Sequence, residues 1–175
     1  MNDERIDPNR VPQLRGEFLY IPFVGAIIER STEDGKEVLV QIRHKKTDSK
    51  YKDVIEIPGG KFRAFEDVFE SLRREVKEES GLDVTLIVGE KERETFKNRG
   101  DTSGIINPFC VTQMREGPFI GLIFLCKGEG ELVAQTDETK DIRWMRADEL
   151  QGIVNKEPER IYTAFLAPLK KYFSN

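Results

Sequence analysis

Short apolar runs separated by turn-forming stretches organise this chain of 175 residues. Alternating or continuous apolar runs are typical of strands, whereas apolar positions three or four residues apart are typical of amphipathic helices. Mixed strands around one central helix, followed by terminal helices, predict a layered α/β fold. The pattern predicts strands at 18–28, 37–42, 53–57, 84–88, 109–113, 119–126 and 142–145, and helices at about 66–79, 147–154 and 157–173.

The regions outside these elements are also informative. Residues 1–16 predict an extended N-terminal arm, and residues 17–175 are long enough for a single domain with its own core. The stretch 95–108 is rich in turn formers and predicts a long loop. Pro168 predicts a kink in the last helix. The apolar residues of that helix favour core or dimer packing, which leaves a homodimer open: Ile161, Phe165, Leu166, Leu169 and Phe173.

The predicted helix at 66–79 carries a carboxylate in an unusual place. Val68, Leu72 and Val76 form an apolar stripe, and Glu79 stands where the next apolar residue of that stripe would fall. A carboxylate at a core-facing edge is costly unless it is paired or binds a metal. Glu79 is therefore a candidate metal ligand.

Two more glutamates, Glu75 and Glu78, lie beside Glu79 on an arc of less than about a third of a turn. Three carboxylates this close repel one another, and a divalent cation would remove the repulsion. Mg²⁺ prefers oxygen ligands and keeps several waters that a phosphate-bearing substrate can replace. A charge-laced surface helix is the other interpretation of such a pattern. The surrounding residues favour the metal site.

These glutamates belong to a motif that runs from Gly60 to Leu82 and reads G-x5-E-x7-R-E-U-x-E-E-x-G-U, where U is bulky and aliphatic. If each fixed residue type occurs at about 6%, a chance match in this chain has odds of roughly one in a million. The motif and the preceding I-E-I-P-G-G resemble the signature box of the Nudix hydrolases. The fixed positions are Gly60, Glu66, Arg74, Glu75, Glu78, Glu79 and Gly81.

The resemblance implies an α/β/α sandwich with a mixed β-sheet and a Mg²⁺ site, with Mn²⁺ as an alternative ion. It implies that Glu78, Glu79 and the backbone carbonyl of Gly59 ligate the metal. Glu75 is then either a further ligand or the base that deprotonates the attacking water. Arg74 completes the set of catalytic candidates.

Arg74 is expected to act by pairing with Glu66, which would hold the acidic cluster in place. Gly81 is expected to end the helix in a left-handed conformation. Near the chain end, the segment T-K-D-I-R-W-M is similar to a family strand that is often preceded by an acidic ligand or base. Glu138 is the chosen candidate there, ahead of Asp137 and Asp141. Three acidic residues in a polar turn are equally typical of a solvent-exposed surface without a function.

One residue departs from the family pattern. Members often carry glycine just before the first glutamate of the box, and Phe65 stands there in this chain. The loop that enters the helix is therefore expected to take a different shape, without effect on the metal ligands.

The resemblance further implies hydrolysis of the diphosphate bond of a nucleoside diphosphate linked to another moiety. Arg43, Glu56 and Gly60 are the expected substrate contacts. A basic run is a candidate for phosphate binding, although such runs are usually solvated: Lys45, Lys46, Lys50 and Lys52. Three aromatic residues are candidates for stacking on a base, with core packing expected for at least two of them: Phe96, Phe109 and Phe119.

Substrate class is left open by the sequence. The proline typical of ADP-ribose hydrolases and the tyrosine typical of dinucleoside polyphosphate hydrolases are both missing after the box, where Asn98 and Arg99 stand. Nucleoside diphosphate sugars, including ADP-ribose, are placed slightly ahead of damaged nucleoside triphosphates. A nucleotide sensor that does not cleave its ligand and an isoprenoid diphosphate isomerase also share the fold. Cys110 and Cys126 lie in apolar runs typical of buried thiols rather than of a catalytic cysteine.

The composition of the chain limits the kinds of molecule that we expect it to bind. The net charge is −4 and the pI about 5.3, which gives no general attraction to nucleic acid. No apolar run approaches the roughly 20 residues of a membrane span, and the polar N-terminus lacks the apolar stretch of a secretory signal. These features predict a cytoplasmic protein whose partner is a small nucleotide, with no membrane and no nucleic acid.

Overall fold

A mixed β-sheet forms the centre of the computed structural model, which describes residues 11–44, 50–115 and 117–174. The strands are β1 (Gln13–Leu14), β2 (Glu17–Phe18), β3 (Ile21–Thr32), β4 (Gly35–Arg43), β5 (Ile55–Glu56), β6 (Gly59–Lys61), β7 (Asp83–Ile87), β8 (Thr95–Asn98), β9 (Asp101–Gly104), β10 (Cys110–Met114), β11 (Phe119–Glu129) and β12 (Thr139–Arg146). The helices are α1 (Val68–Ser80), α2 (Ala147–Lys156) and α3 (Thr163–Ser174).

The central sheet has the strand order β10-β11-β3-β4-β12. Strand β11 runs parallel to β3, and the other pairings of this sheet are antiparallel. Three short strands join it at the sides, with β5 on β4, β6 on β3 and β7 on β11. The sheet is therefore mixed, as predicted.

Alternate residues of β3 face two separate cores, because side chains of a strand point to opposite faces in turn. Phe23 and Ile27 pack with residues of α2 and α3. Val24, Ala26 and Ile28 pack on the other face with the apolar stripe of α1. The helices thus cover both faces of the sheet, and the predicted α/β/α sandwich is confirmed.

Two sequence predictions about secondary structure were wrong. The stretch 95–108 is not a plain loop, because β8 and β9 pair as a hairpin around Arg99 and Gly100. Both turn residues have positive φ, at 50° and 84°, which suits the tight turn of a two-residue hairpin. The stretch 157–173 is not one helix: a 3₁₀ turn spans Pro158–Arg160, and α3 begins only at Thr163.

The break before α3 has a physical cause. A proline disfavours the helical conformation in the residue before it, and Glu157 has φ −134° and ψ 51°. Ile161 then bridges to Ile55, and the backbone N–H of Tyr162 donates to the carbonyl of Ile55 at 2.8 Å. These bonds fix the chain end against β5, next to the loop that enters the motif.

Of the predicted N-terminal arm, residues 1–10 lie outside the described part, and β1 and β2 form a small hairpin. Cys126 is buried and Cys110 half-buried, both as free thiols, which agrees with the prediction of thiols in apolar strands. Burial raises the pKa of Cys126 to about 12. In the described ranges, no helix has the length and apolar character needed to cross a membrane.

Candidate active site

The loop before α1 brings two glycines into close contact with their surroundings. A Cβ on Gly59 would lie 2.3 Å from the carbonyl oxygen of Val24, because β6 pairs with β3 at this point. A Cβ on Gly60 would lie 2.0 Å from Oε2 of Glu75. Real Cβ atoms do not approach other atoms this closely. Position 59 therefore requires glycine, because the contact there is with backbone, whereas a Cβ at position 60 would displace the carboxylate of Glu75, which lies directly against the loop.

Helix α1 is defined at both ends by local hydrogen bonds. The side chain of Asp67 caps the N-terminus by accepting from the backbone N–H of Phe69 at 3.0 Å. At the C-terminus Gly81 has φ 83°, and its N–H donates to the carbonyl of Lys77. The left-handed helix stop predicted for Gly81 is therefore present, and the helix begins two residues later than predicted.

Phe65 precedes this helix with φ 66°, in the left-handed region that favours glycine, and its side chain is fully exposed. Glycine would adopt this backbone conformation without strain, whereas phenylalanine adopts it here with its side chain in solvent. The expected change of loop shape relative to the family stays a prediction.

Glu79 is buried at the end of α1, with 7% of the residue exposed. Its Oε2 accepts hydrogen bonds from the backbone N–H of Gly59 at 2.9 Å and from Nε2 of Gln41 at 2.8 Å. The helix end, the glycine loop and strand β4 therefore meet at one carboxylate. Burying a carboxylate costs roughly several kcal/mol, like burying any other ion, unless hydrogen bonds or a cation compensate its charge.

A second buried carboxylate lies beside it. Glu56 of β5 faces Gln41 of β4 in the sheet, and Nε2 of Gln41 lies 3.4 Å from its Oε1. Arg43 pairs with Oε2 of Glu56 at 3.1 Å, and its guanidinium lies 4.4 Å from the ring centroid of Tyr162. We call Gln41, Arg43, Glu56 and Glu79 the buried network.

Arg74 organises the more exposed side of α1. Its guanidinium forms a bidentate pair with Glu66, at 2.7 and 2.9 Å, as the sequence predicted. The same group contacts Glu75 at 2.5 Å and Glu78 at 3.4 Å. We call these four residues the Arg74 cluster. A planar guanidinium presents five N–H donors in a fixed fork, which allows one arginine to hold three carboxylates.

The fork has a clear electrostatic effect on Glu66. Hydrogen bonding to Arg74 lowers the pKa of Glu66 to about 2. The pKa of Arg74 is raised in turn, chiefly by the hydrogen bond to Glu66. Arg74 and Glu66 therefore remain a charged pair across the neutral pH range, and this pair fixes the guanidinium beside Glu75 and Glu78.

The residues at this site fit a hard divalent cation by donor type. Carboxylate oxygens, an amide oxygen and backbone carbonyls are the ligands that Mg²⁺ prefers. Oε1 of Gln41 is buried and has no hydrogen-bond partner among the described residues, which leaves a polar acceptor open beside Glu79.

Within ranges 11–44, 50–115 and 117–174, no three acidic, histidine or cysteine side chains converge as a ready metal cage. Glu75 and Glu78 are instead directed at Arg74. Mg²⁺ is usually held by only one or two carboxylates together with water and substrate phosphate, so a dedicated cage is not required.

The remaining candidate residues from the sequence lie in several different parts of the fold. The exposed Glu138 lies just before β12, and its backbone carbonyl accepts a hydrogen bond from the backbone N–H of His44, just after β4, at 2.7 Å. Phe109 and Phe119 pack against the core, as expected for two of the three aromatic candidates, and Phe96 is exposed on the β8–β9 hairpin. Of the basic run, Lys45 and Lys46 lie outside the described residues.

Gln41 falls within the strand predicted at 37–42, and the sequence analysis did not single it out. A signal was available, because a glutamine stands between Val40 and Ile42 within an apolar run. A buried amide in such a run needs polar partners. Which partners these are depended on the pairing of β4 with β5 and on the packing of α1.

Comparison with known proteins identifies this arrangement. A family model described as the NUDIX domain matches residues 20–165, which is most of the chain. The chain therefore belongs to the Nudix family. It is a Nudix hydrolase, a class of enzymes that acts on nucleoside diphosphate derivatives and generally uses divalent metals such as Mg²⁺.

Solved structures with the same fold come from several organisms. A MutT protein from Methanosarcina mazei Go1 is 21% identical, with TM-score 0.59 over 89% of this chain and 94% of its own. A NUDIX hydrolase from Nitrosomonas europaea is 18% identical, with TM-score 0.61 over 91% and 75%. An Ap4A hydrolase from C. elegans is 13% identical, with TM-score 0.52 over 88% and 96%. A comparison with curated proteins gave no match.

Proposed function

We propose that the protein hydrolyses the diphosphate bond of a nucleoside diphosphate linked to another moiety, with a sugar or ribose phosphate as the favoured second part. The proposed ion is Mg²⁺, or Mn²⁺ in its place. Glu78, Glu79 and the carbonyl of Gly59 would hold it. Glu138 is the further ligand we propose, and Glu75 is either another ligand or the base that deprotonates the attacking water.

The observation that carries this proposal is the environment of Glu79. A carboxylate replaces an apolar residue on the buried side of α1, and the backbone N–H of Gly59 and the amide of Gln41 hold it in one orientation. Such an arrangement costs folding free energy, because a charge is taken out of water. A functional role at the glycine loop explains why the chain keeps that charge.

The residues around Glu79 would supply proton transfer and positioning, in addition to metal binding. When bound, the cation would neutralise charge on the diphosphate and lower the pKa of a bound water. As the base, Glu75, whose carboxylate lies against Gly60, would accept the proton of the attacking water. Arg74 keeps Glu75 in position through a contact of 2.5 Å and is itself anchored by Glu66.

The main alternative substrate is a nucleoside triphosphate, and one observation favours it. Glu56, the contact expected for an ADP-ribose-type substrate, is paired at 3.1 Å with Arg43, another expected substrate contact. A substrate that used either side chain would have to share or break this pair. Product analysis separates the two classes. A nucleoside diphosphate sugar yields a nucleoside monophosphate and a sugar phosphate, whereas a nucleoside triphosphate yields a nucleoside monophosphate and pyrophosphate.

The test is turnover of a panel of nucleoside diphosphate derivatives and nucleoside triphosphates with and without Mg²⁺. Glu79→Gln is expected to lower kcat/KM at least about 100-fold, as removal of a catalytic electrostatic group does. Glu70→Gln is the matched control, since Glu70 is an exposed glutamate of the same helix. Equal activity of Glu79→Gln and wild type would refute the metal site, and release of no monophosphate from any substrate would refute the reaction.

A further inference from the structure

Gln41 lies at the centre of the buried network, on strand β4. The side chain is fully buried, and the residue pairs across the sheet with Glu56. Its amide nitrogen lies 2.8 Å from Oε2 of Glu79 and 3.4 Å from Oε1 of Glu56. One neutral amide therefore connects the carboxylate at the end of α1 to the carboxylate on β5.

The orientation of this amide is fixed by its neighbours. Ionised carboxylates only accept hydrogen bonds, so the nitrogen of Gln41 must face Glu79 and Glu56. The oxygen cannot accept a hydrogen bond from either ionised carboxylate, and it has no partner among the residues that the structure describes. Buried acceptors without a partner are rare in native proteins, and an ion or a water molecule commonly explains them.

We propose that Gln41 is a positioning residue of the metal site: its amide nitrogen holds Glu79 in the metal-binding orientation, and its amide oxygen accepts a hydrogen bond from a water molecule of the cation's hydration shell. This inference rests on the function proposed above, because it requires that Glu79 binds the ion. Mg²⁺ and Mn²⁺ both retain water when protein carboxylates bind them, and such water is a hydrogen-bond donor. Residues that orient metal ligands typically change metal affinity by about 10- to 100-fold when they are replaced.

A purely structural role for Gln41 makes a different prediction. If the amide only satisfied Glu56 and Glu79 within the fold, its removal would lower stability without regard to metal. If it positions Glu79 for the cation, metal affinity falls even when the metal-free protein remains folded. Metal binding in the absence of substrate therefore separates the two roles.

The experiment measures the dissociation constant of Mn²⁺ for the full chain without substrate, by electron paramagnetic resonance of the free ion. Gln41→Met keeps the length of the side chain and removes both polar atoms. Thr112→Val is the matched control, because it removes a buried polar group from β10, outside the site. Gln41→Met is expected to raise the dissociation constant about 10- to 100-fold, and Thr112→Val is expected to leave it within twofold of the wild type.

The thermal midpoint of each variant is measured in chelator and in saturating Mn²⁺. The wild type is expected to gain stability from the ion, since a ligand that binds the native state raises the midpoint, and Gln41→Met is expected to lose most of that gain. Gln41→Asn, whose shorter side chain does not bring the amide to Glu79, provides a second variant if Gln41→Met fails to fold. It is expected to show the same loss of affinity.

A folded Gln41 variant that binds Mn²⁺ within twofold of the wild type overturns the inference. Glu79→Gln, measured in parallel, distinguishes this from failure of the proposed function. If Glu79→Gln weakens Mn²⁺ binding while the Gln41 variant does not, only the role of Gln41 is wrong. If Glu79→Gln also binds like the wild type, Glu79 is not a ligand and both proposals fail.

Discussion

The buried network and the Arg74 cluster hold neighbouring glutamates of one helix by different physical means. Glu79 is buried and receives hydrogen bonds from a backbone N–H and a neutral amide. Glu78, the adjacent residue, is half-exposed and lies near a full positive charge on Arg74. Successive helix residues point about 100° apart, so two adjacent glutamates enter separate environments.

The difference in burial suggests that the buried network is rigid, whereas the carboxylates of the Arg74 cluster can exchange the guanidinium for a metal ion. Groups in the buried network are packed within the sheet, and moving them would leave charges unpaired in the interior. In the Arg74 cluster Glu78 is exposed and Glu66 and Glu75 are half-buried, so a guanidinium and a divalent ion can compete for the same oxygens. We therefore expect substitutions in the buried network to alter stability strongly and substitutions in the Arg74 cluster to alter chemistry and pH response.

The largest effect is expected from Arg43→Met. It removes Arg43 from its pair with the buried Glu56, and loss of one partner from a buried pair costs about 3 kcal/mol of unfolding free energy. Arg30→Met is a close control, because Arg30 also pairs with a glutamate and lies over an aromatic ring, but at the surface. It is expected to cost less than about 1 kcal/mol. Urea unfolding in chelator measures both, and equal losses would contradict the distinction between buried and exposed pairs.

Gly60→Ala tests how closely the Arg74 cluster fits the loop. The new methyl group would meet Oε2 of Glu75 at 2.0 Å, so the carboxylate must move. A displacement of about 1 Å at a catalytic group can reduce kcat about 100-fold, and this is the expected loss. Gly152→Ala provides the control, because a Cβ there meets no atom within 4 Å. Wild-type kcat in Gly60→Ala would show that the position of Glu75 is unimportant.

The pH response of the Arg74 cluster gives a smaller effect with a defined sign. Because Arg74 lowers the pKa of Glu66 from 4.5 to about 2, the pair stabilises the folded state above pH 4.5. That stabilisation is lost as the pH falls towards 2. The difference in unfolding free energy between wild type and Arg74→Met should therefore shrink over this interval.

Urea unfolding of the metal-free protein at a series of pH values measures this difference. Arg74→Lys keeps the charge without the bidentate fork and should give an intermediate result. A difference that stays constant from pH 6 to pH 2 would argue against the ion pair as its source.

Glu78→Gln is expected to have the smallest effect on the metal-free fold. The Glu78 side chain is 54% exposed, and its contact with Arg74 is long at 3.4 Å. Removal of its charge should change the unfolding free energy by no more than about 0.5 kcal/mol, as for surface substitutions in general. Thermal unfolding in chelator gives the value, and a loss above 1 kcal/mol would place Glu78 among the structurally essential groups.

Local pattern was sufficient for much of the fold. The spacing of Val68, Leu72 and Val76 predicted the buried face of α1, and Gly81 predicted its end, because helix period and left-handed stops depend on neighbouring residues. The β8–β9 hairpin was missed because turn-forming residues also fill loops. The start of α3 was missed because bonds to Ile55, more than a hundred residues earlier, hold Ile161 and Tyr162 extended.

By itself, the sequence determined the layered α/β class, because local apolar patterns along the chain predict its strands and helices. It also determined the family resemblance and the pairing of Arg74 with Glu66, because these depend on residues close together along one helix and its loop. Tertiary structure alone decided that Gln41 joins Glu56 to Glu79 and that Arg43 is bound to Glu56. The physical reason is strand register: the pairing of β4 with β5 and the packing of α1 against the sheet bring together groups 13 to 38 residues apart, and no local periodicity encodes that alignment.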